Sequence, residues 1–331
     1  MFSPHEIVKL FLLVSDPQLK PVRGGFSGAH VFQVQCSLGS FALRAWPPHS
    51  FSEARLGKLH RYLRFLNESG FPVPLPRKMI HGHQTFFSSD NRLWQLEPWL
   101  PGQSVTGQTI SDPQLINGMR SLARMHIVSS GYRTDCGDPL FQCRSGSSPA
   151  VSFRRSVIRD WPASRVKLAW KSMRRAPQEF SQLCQPLLDG YSRMSAFVDR
   201  ELEDMERVPV SIHPCWRDLW SEHVLFTGDE VTGFVDPGSA KADHVSSDLS
   251  RLLGSLFGDE TSRWETALTA YEAVRPLDQN DRQLIRVMDR SSVLLSGLTW
   301  IDRWMKGAIA PPQLPAICER VRRIIPRMEN L

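Results

Sequence analysis

The stretch of sequence that decides the fold runs from Cys215 to Gly238 and reads CWRDLWSEHVLFTGDEVTGFVDPG. An acidic residue, Asp218, lies ahead of a short apolar run. The turn residues 228–230 follow, and a second apolar run ends in another acidic residue, Asp236. This pattern predicts a β-hairpin that directs both carboxylates into one cleft.

Two carboxylates in one cleft suit the transfer of a phosphoryl group, because that reaction depends mainly on positioning and on neutralising charge. Asp218 could accept a proton from a substrate hydroxyl, while Asp236 could hold a metal ion bound to nucleotide phosphates. The alternative is a turn or capping role, and the Pro-Gly pair after Asp236 is compatible with a turn. Trp216 and Trp220, which flank Asp218, are unusual neighbours for a turn residue.

The composition is that of a globular protein without a membrane segment. Hydrophobic residues make up 41% and charged residues 22% of the 331 positions, so the chain can bury a sizeable core. The apolar run from Ile7 to Val14 contains Lys9 and is far shorter than the roughly 20 residues of a membrane span. There is no secretion signal and no Cys-x-x-Cys pair, so we expect a cytoplasmic protein without a membrane partner.

The net charge of +6 indicates an anionic partner, and ATP is one. The densest basic cluster lies between Arg154 and Arg175. Its spacing is typical of the solvated face of a helix, with an anion-binding surface as the alternative. The sequence contains no recognisable nucleic-acid-binding motif, so we expect no nucleic-acid partner.

The first hundred residues combine predicted strands with two predicted helices. Ser3, Pro4 and Glu6 form the pattern of a capping box and predict a short helix to about Val14. Alternating and helical periodicity predict the elements that follow. These are strands at 31–35, 41–46, 86–87 and 93–97, and a helix at 52–68.

Beyond the segment 98–102 the sequence becomes mainly helical. The predicted helices span 112–126, 177–205 and about 243 to the end. The exceptions are a loop over 132–149 and the compact segment 209–236. We therefore expect an α+β fold with a small N-terminal lobe that holds an antiparallel sheet, residues 1–98. A larger, mostly helical C-terminal lobe would comprise residues 99–331.

These segments resemble, in order, the motifs of the aminoglycoside phosphotransferase and choline kinase family, which has a two-lobed, protein-kinase-like fold. Asp218 occupies the catalytic position of that family's His-Gly-Asp-Leu-x-x-x-Asn loop, and Asp236 occupies the position of its metal-binding aspartate. Asp248 resembles the aspartate of its Asp-Leu-Ala helix start, which would act as a brace or cap. The further matching segments are 23–30, 41–44, 70–74, 96–102 and 122–126.

The resemblance implies an ATP-dependent phosphotransferase, a kinase that acts on a hydroxyl of a small molecule. Arg44, where many members have lysine, would hold phosphates, because a guanidinium binds phosphate oxygens in a bidentate way. Glu53 could pair with Arg44, or it could be a first-turn residue favoured by the helix dipole. The other implied nucleotide contacts are the glycine-rich loop over the phosphates and the hinge beside the adenine: Gly24, Gly25, Ser27, Gly28, Glu97 and Trp99.

The implied metal ligands are Asp236 and His223, and His223 departs from the asparagine of the family. Mg²⁺ accepts imidazole nitrogen poorly, whereas Mn²⁺ tolerates it better. Either the second metal site is lost and Asp236 holds one Mg²⁺ ion, or the site prefers Mn²⁺. The third alternative is that His223 only caps or packs the loop.

Two other functions remain open on the sequence. The replacement of His-Gly before Asp218 and the presence of His223 would suit a nucleotide-binding pseudokinase, although Asp218 and Asp236 are both retained. A metal-dependent hydrolase would use His213 together with these three residues. The resemblance leaves the acceptor open among amino sugars, choline, ethanolamine, homoserine, thiamine and ketosamines, and the oligomeric state is not determined.

Overall fold

The computed structural model describes residues 2–22, 28–134 and 138–331. Its helices are α1 (Pro4–Phe11), α2 (Glu53–Glu68), α3 (Asp112–Ser130), α4 (Pro149–Arg159), α5 (Ala163–Met173), α6 (Gln178–Glu206), α7 (Ser246–Phe257), α8 (Thr261–Glu272), α9 (Gln279–Met305) and α10 (Leu314–Glu329). Its strands are β1 (Gln18–Val22), β2 (His30–Cys36), β3 (Gly39–Ala45), β4 (Phe87–Ser89), β5 (Arg92–Pro98), β6 (Gln103–Ser104), β7 (Arg144–Gly146), β8 (Val210–Cys215), β9 (Val224–Thr227), β10 (Glu230–Phe234) and β11 (Lys241–Asp243).

Contacts divide the chain into two compact units. Unit 1 comprises Met1–Phe141 and Ser221–Ala240, and unit 2 comprises Gln142–Trp220 and Lys241–Leu331. This division groups residues that pack together. The prediction of a nucleotide-binding lobe that ends at residue 98 concerns function and stays a prediction.

Unit 1 contains an antiparallel sheet with the strand order β1-β2-β3-β5-β4. Leu43 in β3 lies opposite Phe32 of β2 and Leu96 of β5, so apolar residues of three strands share one face. Helix α1 buries Ile7 and Phe11 in the same apolar cluster. This core fixes β3 and β5, the two strands that carry the charged residues of the candidate site.

Strands β9 and β10 form the predicted hairpin, and β6 pairs with β9 as a third strand. Gly228 has a φ of +58° in the turn, a conformation that glycine adopts without steric cost. The register places Val224 at the start of β9 opposite Phe234 at the end of β10. His223 and Asp236, which lie just outside the paired segments, are therefore at the same end of the hairpin.

Unit 2 is mainly helical and is organised around the long helix α6. Helix α6 packs against α4, α5, α9 and α10. Gly190 in α6 allows a close approach, because a Cβ there would lie 2.5 Å from the side chain of Met328. Strand β8 pairs with β7 and β11 and leads directly into the segment that carries Asp218. Within the described ranges, no helix combines the length and apolar character needed to cross a membrane.

The structure confirms the predicted α+β fold, with an antiparallel sheet near the N-terminus and helices through most of the C-terminal part. The capping box of Ser3 and Glu6 is formed, but α1 ends at Phe11 rather than near residue 14. The predicted loop over 132–149 is wrong for Arg144–Gly146, which form β7. Their partner is the distant strand β8, so local sequence gives no sign of this pairing.

The predicted solvated face of the basic segment is also wrong for several arginines. Arg154 donates to Ser291 Oγ at 2.6 Å, and Arg155 donates to Asp199 Oδ1 at 3.1 Å. These arginines of α4 bind partners on α9 and α6, so part of the basic segment stabilises the packing of unit 2.

Two glycine-to-alanine substitutions in helices are predicted to change stability in opposite directions. A Cβ at Gly297 of α9 would lie 2.6 Å from Leu187 Cδ1, and Leu187 is fully buried. A Cβ at Gly57 of α2 would meet no atom within 4 Å. We expect Gly297→Ala to lower the free energy of unfolding by about 1–3 kcal/mol through overpacking. Gly57→Ala should raise it by about 0.5–1 kcal/mol through helix propensity.

Urea denaturation of the two variants beside the wild type measures these changes. Gly57→Ala is the matched control, since both substitutions add one methyl group to a helix. A stabilising Gly297→Ala would show that α6 and α9 do not approach as closely as described.

Candidate active site

The end of the β9–β10 hairpin places His223 beside Asp236. His223 closes the short 3₁₀ turn Ser221–His223, and its carbonyl accepts a hydrogen bond from Val235 N at 2.9 Å. His223 Nε2 lies 3.7 Å from Asp236 Oδ2, and the Asp236 side chain is 45% exposed. A carboxylate oxygen and an imidazole nitrogen this close together would be able to hold one divalent metal ion. The two side chains therefore fit a divalent metal ion.

Asp236 adopts a left-handed backbone conformation, with φ of +56° and ψ of +59°. A residue with a Cβ holds this conformation at a cost of about 1 kcal/mol or more, and only where its surroundings impose it. Gly238 lies against the Trp46 ring, where a Cβ would come within 2.9 Å of the ring. The Gly238 carbonyl accepts a hydrogen bond from Arg55 Nη2 at 3.2 Å. Contacts from Trp46 and α2 thus fix the backbone that aims Asp236.

Arg44 on β3 is the cation beside Asp236. Its Nη1 donates to Asp236 Oδ1 at 3.0 Å, and its Nε and Nη2 both lie 3.4 Å from Glu97 Oε1. The Arg44 side chain is only 12% exposed. Burial lowers the pKa of Arg44, but Glu97 and Asp236 raise it by more, so the guanidinium stays charged. A fixed guanidinium next to a half-exposed carboxylate suits the binding of anionic groups such as phosphates.

Glu97 is buried in β5, where polar side chains surround its carboxylate. Burial raises the pKa of Glu97, and Arg44 and Gln95 offset part of that effect. Gln95 Nε2 donates to Glu97 Oε2 at 2.5 Å, while Gln95 Oε1 accepts from Trp46 Nε1 at 2.8 Å. Because the indole N–H can only donate, Trp46 fixes the orientation of the Gln95 amide.

His60 extends this buried network into α2. Its Nε2 lies 3.0 Å from Gln95 Oε1, which is an acceptor, so the neutral ring carries its proton on Nε2. Its Nδ1 then accepts from Thr85 Oγ1 at 2.6 Å. Burial lowers the pKa of His60 to about 4, against the opposing effect of the Gln95 hydrogen bond. Helix α2 is thereby joined through polar contacts to the strand that holds Arg44.

The proposed pair of Glu53 and Arg44 is not formed in the described part of the chain, where the carboxylates bound to Arg44 are those of Glu97 and Asp236. Glu53 is exposed in the first turn of α2, the other position that the sequence allowed. The ion-pair partner of Arg44 thus comes from the adjacent strand and not from the helix.

The structure describes three of the residues expected at the hinge and in the phosphate loop: Glu97, Trp99 and Gly28. The Glu97 side chain binds Arg44 and Gln95, so it is directed into unit 1 rather than toward a hinge ligand. Trp99 is 39% exposed, and its contact with adenine stays a prediction. Gly28 has a φ of +78°, which glycine tolerates. The remaining loop residues lie outside the described residues: Gly24, Gly25 and Ser27.

In unit 2, Asp218 lies in the segment that follows β8. Its Oδ1 accepts a hydrogen bond from Trp220 Nε1 at 2.8 Å and lies 3.4 Å from Arg251 Nε. The Arg251 guanidinium lies over the Trp220 ring, 4.7 Å from its centroid. The Asp218 side chain is 43% exposed. These contacts orient the carboxylate and leave it accessible from solvent, as a proton acceptor requires.

Asp248, near the start of α7, braces the backbone ahead of Asp218. Its oxygens accept hydrogen bonds from Trp216 N at 2.8 Å and Arg217 N at 2.5 Å, which confirms the predicted brace. Burial raises the pKa of Asp248 to about 6, although both hydrogen bonds lower it. Arg217 has a φ of +67°, a conformation that glycine adopts more readily than residues with a Cβ, and its Nε lies 2.8 Å from buried Asp243 Oδ2.

His213, a ligand in the hydrolase hypothesis, is fully buried in β8. Its Nδ1 lies 3.1 Å from Pro214 O and 3.8 Å from Cys215 Sγ. A hydrolytic metal site needs an open coordination position for water. The packed surroundings of His213 therefore count against that hypothesis.

The sequence analysis missed Gln95, His60 and Arg251. Gln95 and Glu97 are polar residues in a strand that is otherwise apolar, and that departure was an available signal of a buried network. Arg251 lies three residues after Asp248, so the two share one face of α7. That spacing alone does not indicate that Arg251 contacts Asp218.

Comparison with known proteins adds a family match over most of the chain. A profile described as the phosphotransferase enzyme family matches residues 18–284. The homoserine kinase of Methylobacterium sp. (strain 4-46) is 30% identical over 111 residues, which are 31% of this chain and 35% of that protein. The homoserine kinase of Agrobacterium fabrum is 22% identical over 240 residues, 71% of this chain and 64% of that protein. The chain thus spans between about a third and just under two thirds of the length of these relatives.

Solved structures share the fold at low identity. An amicoumacin kinase in complex with AMP-PNP and Ca²⁺ has a TM-score of 0.66 at 14% identity, over 98% of this chain and 93% of that one. A microcompartment-associated aminopropanol kinase has a TM-score of 0.66 at 15% identity, over 96% and 91%. An aminoglycoside phosphotransferase of Alicyclobacillus acidocaldarius has a TM-score of 0.62 at 16% identity, over 100% and 98%.

The buried His60 predicts a loss of stability in mild acid. The folded protein keeps His60 neutral down to about pH 4, whereas the unfolded chain binds a proton below the ordinary pKa of 6.5. Stability from this group is therefore fully present above pH 6.5 and is lost as the pH falls toward 4. The full loss is about 3 kcal/mol.

Urea denaturation at several pH values between 4.5 and 7.5 would measure this loss in the wild type and in His60→Gln. We expect a shallower pH dependence in His60→Gln, whatever its stability at neutral pH. His81→Gln, at an exposed position, controls for the removal of a histidine as such. Equal slopes in the wild type and His60→Gln would contradict the assigned neutral state.

Proposed function

This chain belongs to the phosphotransferase enzyme family, and we propose that it transfers the terminal phosphoryl group of ATP to a hydroxyl of a small molecule. In this proposal Arg44 binds phosphate oxygens, and Asp236 and His223 hold the metal ion that accompanies the nucleotide. Asp218 accepts the proton of the hydroxyl. Unit 1 supplies the nucleotide contacts and unit 2 supplies the proton acceptor.

The observation that carries the proposal is the contact of Arg44 with Asp236. A buried guanidinium donates at 3.0 Å to a carboxylate that is held in a strained, left-handed conformation. Strain of this kind persists at sites where position matters more than local stability. Phosphoryl transfer requires both elements, a cation for the phosphate oxygens and a carboxylate for the metal ion.

The donor set at the metal position is one carboxylate and one imidazole. When bound, the metal ion would neutralise charge on the phosphate oxygens. His223 Nε2 must be unprotonated to act as a ligand, and its distance of 3.7 Å from Asp236 Oδ2 allows both to bind one ion. Because imidazole suits Mn²⁺ better than Mg²⁺, the pair supports a preference for Mn²⁺.

Asp218 is supported in its role by a hydrogen bond and an ion pair at one of its oxygens. Trp220 Nε1 and Arg251 Nε approach Oδ1, which holds the carboxylate plane in one orientation. The backbone ahead of Asp218 is fixed by Asp248 through Trp216 and Arg217. A carboxylate held this way can orient a hydroxyl and remove its proton as the bond to phosphorus forms.

The names of the relatives point to different acceptors, homoserine and aminopropanol among them, so none is assigned to this chain on likeness alone. The pseudokinase alternative loses support from the structure of the altered loop. Arg217 adopts a left-handed conformation of the kind that glycine tolerates, and Asp248 holds the segment in place. The replacement of His-Gly by Trp216-Arg217 is thus compatible with an intact catalytic loop.

Substitution of Asp218 and of Asp236 should affect nucleotide binding and phosphoryl transfer differently. We expect AMP-PNP with Mn²⁺ or Mg²⁺ to stabilise the wild type by about 2.7 kcal/mol at 100 times its dissociation constant. Asp218→Asn should keep this stabilisation but lose phosphoryl transfer by about 10²-fold or more. Asp236→Asn should lose the metal-dependent part of the stabilisation, because its neutral amide binds the cation weakly.

Thermal unfolding and ADP release in the presence of hydroxyl acceptors provide the two measurements. Asp229→Asn, an exposed aspartate in the turn of the same hairpin, is the matched control and should behave as the wild type. If neither metal gives nucleotide stabilisation to the wild type, the proposed function is wrong. Stabilisation without any transfer would favour the pseudokinase.

The choice of metal is predicted to depend on His223. The wild type should bind AMP-PNP more tightly with Mn²⁺ than with Mg²⁺, and His223→Asn should shift the ratio toward Mg²⁺ by about tenfold, since it exchanges a nitrogen ligand for oxygen. Titration calorimetry with each metal measures this ratio. His83→Asn, an exposed position, is the control. An unchanged ratio in His223→Asn would leave His223 with only a packing role.

A further inference from the structure

Beside Asp218, unit 2 places two arginine side chains against one tryptophan ring. Arg251 Nε lies 3.4 Å from Asp218 Oδ1, and the guanidinium lies over the Trp220 ring. Arg320 lies over the same ring, 5.2 Å from its centroid. Two guanidinium groups therefore share one indole beside one carboxylate, although like charges repel at this range.

Arg251 is largely buried, and its capacity for hydrogen bonds is little used. Its side chain is 24% exposed, and its Nε is buried without a hydrogen-bond partner among the described residues. Burial lowers the pKa of Arg251, Asp218 and Asp289 raise it, and Arg320 and Arg327 lower it again. A guanidinium has five N–H donors, so this side chain is suited to receive an anion that would also offset the repulsion.

Two further carboxylates in this part of unit 2 are shared with another arginine, Arg327. Asp289 and Asp259 accept hydrogen bonds from Arg327 at 2.6 Å and 2.8 Å, so both are already bound to a cation. Arg154 donates to Ser291 Oγ, a neutral partner. Burial, followed by the charge of Arg251, lowers the pKa of Arg154 to about 9. Among the described residues, Arg251 thus contacts the carboxylate of Asp218, while Asp289 attracts its charge and Arg320 and Arg327 repel it.

We infer that Arg251, with Arg320, binds an anionic group of the acceptor, so that the acceptor is a small hydroxyl compound that carries a carboxylate or a phosphate. This inference rests on the proposed function, because it places the anion next to the residue that accepts the hydroxyl proton. A bidentate contact from a guanidinium to the anion would hold the hydroxyl in a fixed relation to Asp218. A cationic acceptor, such as an aminoglycoside, would be repelled at this position.

The alternative role of Arg251 is to position Asp218 without touching the acceptor. The two roles differ in their kinetic effect. Loss of a positioning contact lowers kcat for every acceptor alike, whereas loss of an anion contact raises KM for anionic acceptors and spares neutral ones. Acceptors of equal length and different charge therefore distinguish the two roles.

The experiment measures phosphoryl transfer from ATP with Mg²⁺ or Mn²⁺ to two sets of acceptors. One set is hydroxybutyrate, butanediol and aminobutanol, which share a chain length and differ in charge. The other is glycerol phosphate against glycerol, which separates a preference for phosphate from one for carboxylate. Product formation is followed by mass spectrometry and ADP release. We expect the anionic member of at least one set to exceed its neutral and cationic counterparts by roughly tenfold or more in kcat/KM.

Variants then assign the preference to residues. We expect Arg320→Gln and Arg251→Gln to raise KM for the preferred anion by roughly 10- to 100-fold and to leave KM for ATP unchanged. Arg251→Lys should recover part of the affinity, because it keeps the charge and loses the bidentate geometry. Arg303→Gln is the matched control, since it removes another arginine that lies over a tryptophan ring, that of Trp300, in the same unit.

The outcomes distinguish a failure of this inference from a failure of the proposed function. If AMP-PNP with metal does not stabilise the protein, the proposed function fails. If the nucleotide binds but neutral or cationic acceptors are used as well as anionic ones, or no anionic acceptor is used, the inference is overturned and the proposed function stands. A fall in kcat for all acceptors in Arg251→Gln, with no change in KM, would leave Arg251 as a positioning residue. A rise in KM for ATP in Arg320→Gln would assign the arginines to the nucleotide, against the inference.

Discussion

A buried guanidinium connects the parts of unit 1 that a phosphate-binding site needs. Arg44 lies between Glu97 of β5 and Asp236 after β10, and it is nearly inaccessible to solvent. Removing such a charge from water costs several kcal/mol unless partners compensate it. Both carboxylates provide that compensation, and the carboxylate of Glu97 is in turn bound by Gln95. The position of Asp236 therefore depends on a network that reaches to His60 in α2.

In unit 2, a buried carboxylate fixes the backbone ahead of Asp218. Asp248 is fully buried, and it accepts the backbone N–H groups of Trp216 and Arg217. These bonds hold Arg217 in a left-handed conformation, and the segment that contains Asp218 follows directly. Asp236 in unit 1 is left-handed as well. In both units a left-handed backbone thus lies at or next to an aspartate of the proposed site, as is common where geometry is selected over local stability.

The arginines of unit 2 differ in their partners, so the positive charge of this basic protein is not spread evenly. Arg155 is bound by Asp199 and Glu206, so its charge is neutralised within unit 2. Arg251 and Arg320 instead share the Trp220 ring, where Asp218 is the carboxylate that Arg251 contacts. The net charge of the chain indicates an anionic partner, but only the pairing of individual side chains shows where an anion could be bound.

The sequence by itself determined the α+β fold and the β9–β10 hairpin, because these depend on local periodicity, on turn residues and on the order of motifs. The brace role of Asp248 followed from the resemblance of this segment to the helix start of the family motif, and the structure bears it out.

Only the tertiary structure decided the partners of these residues. Arg44 binds Glu97 instead of Glu53, Arg144–Gly146 pair with β8, and Arg251 reaches Asp218. Each of these contacts joins segments that are far apart in the chain or on different elements. Their formation depends on strand register and helix packing, which are set by burial over the whole unit and leave no mark in a short stretch of sequence.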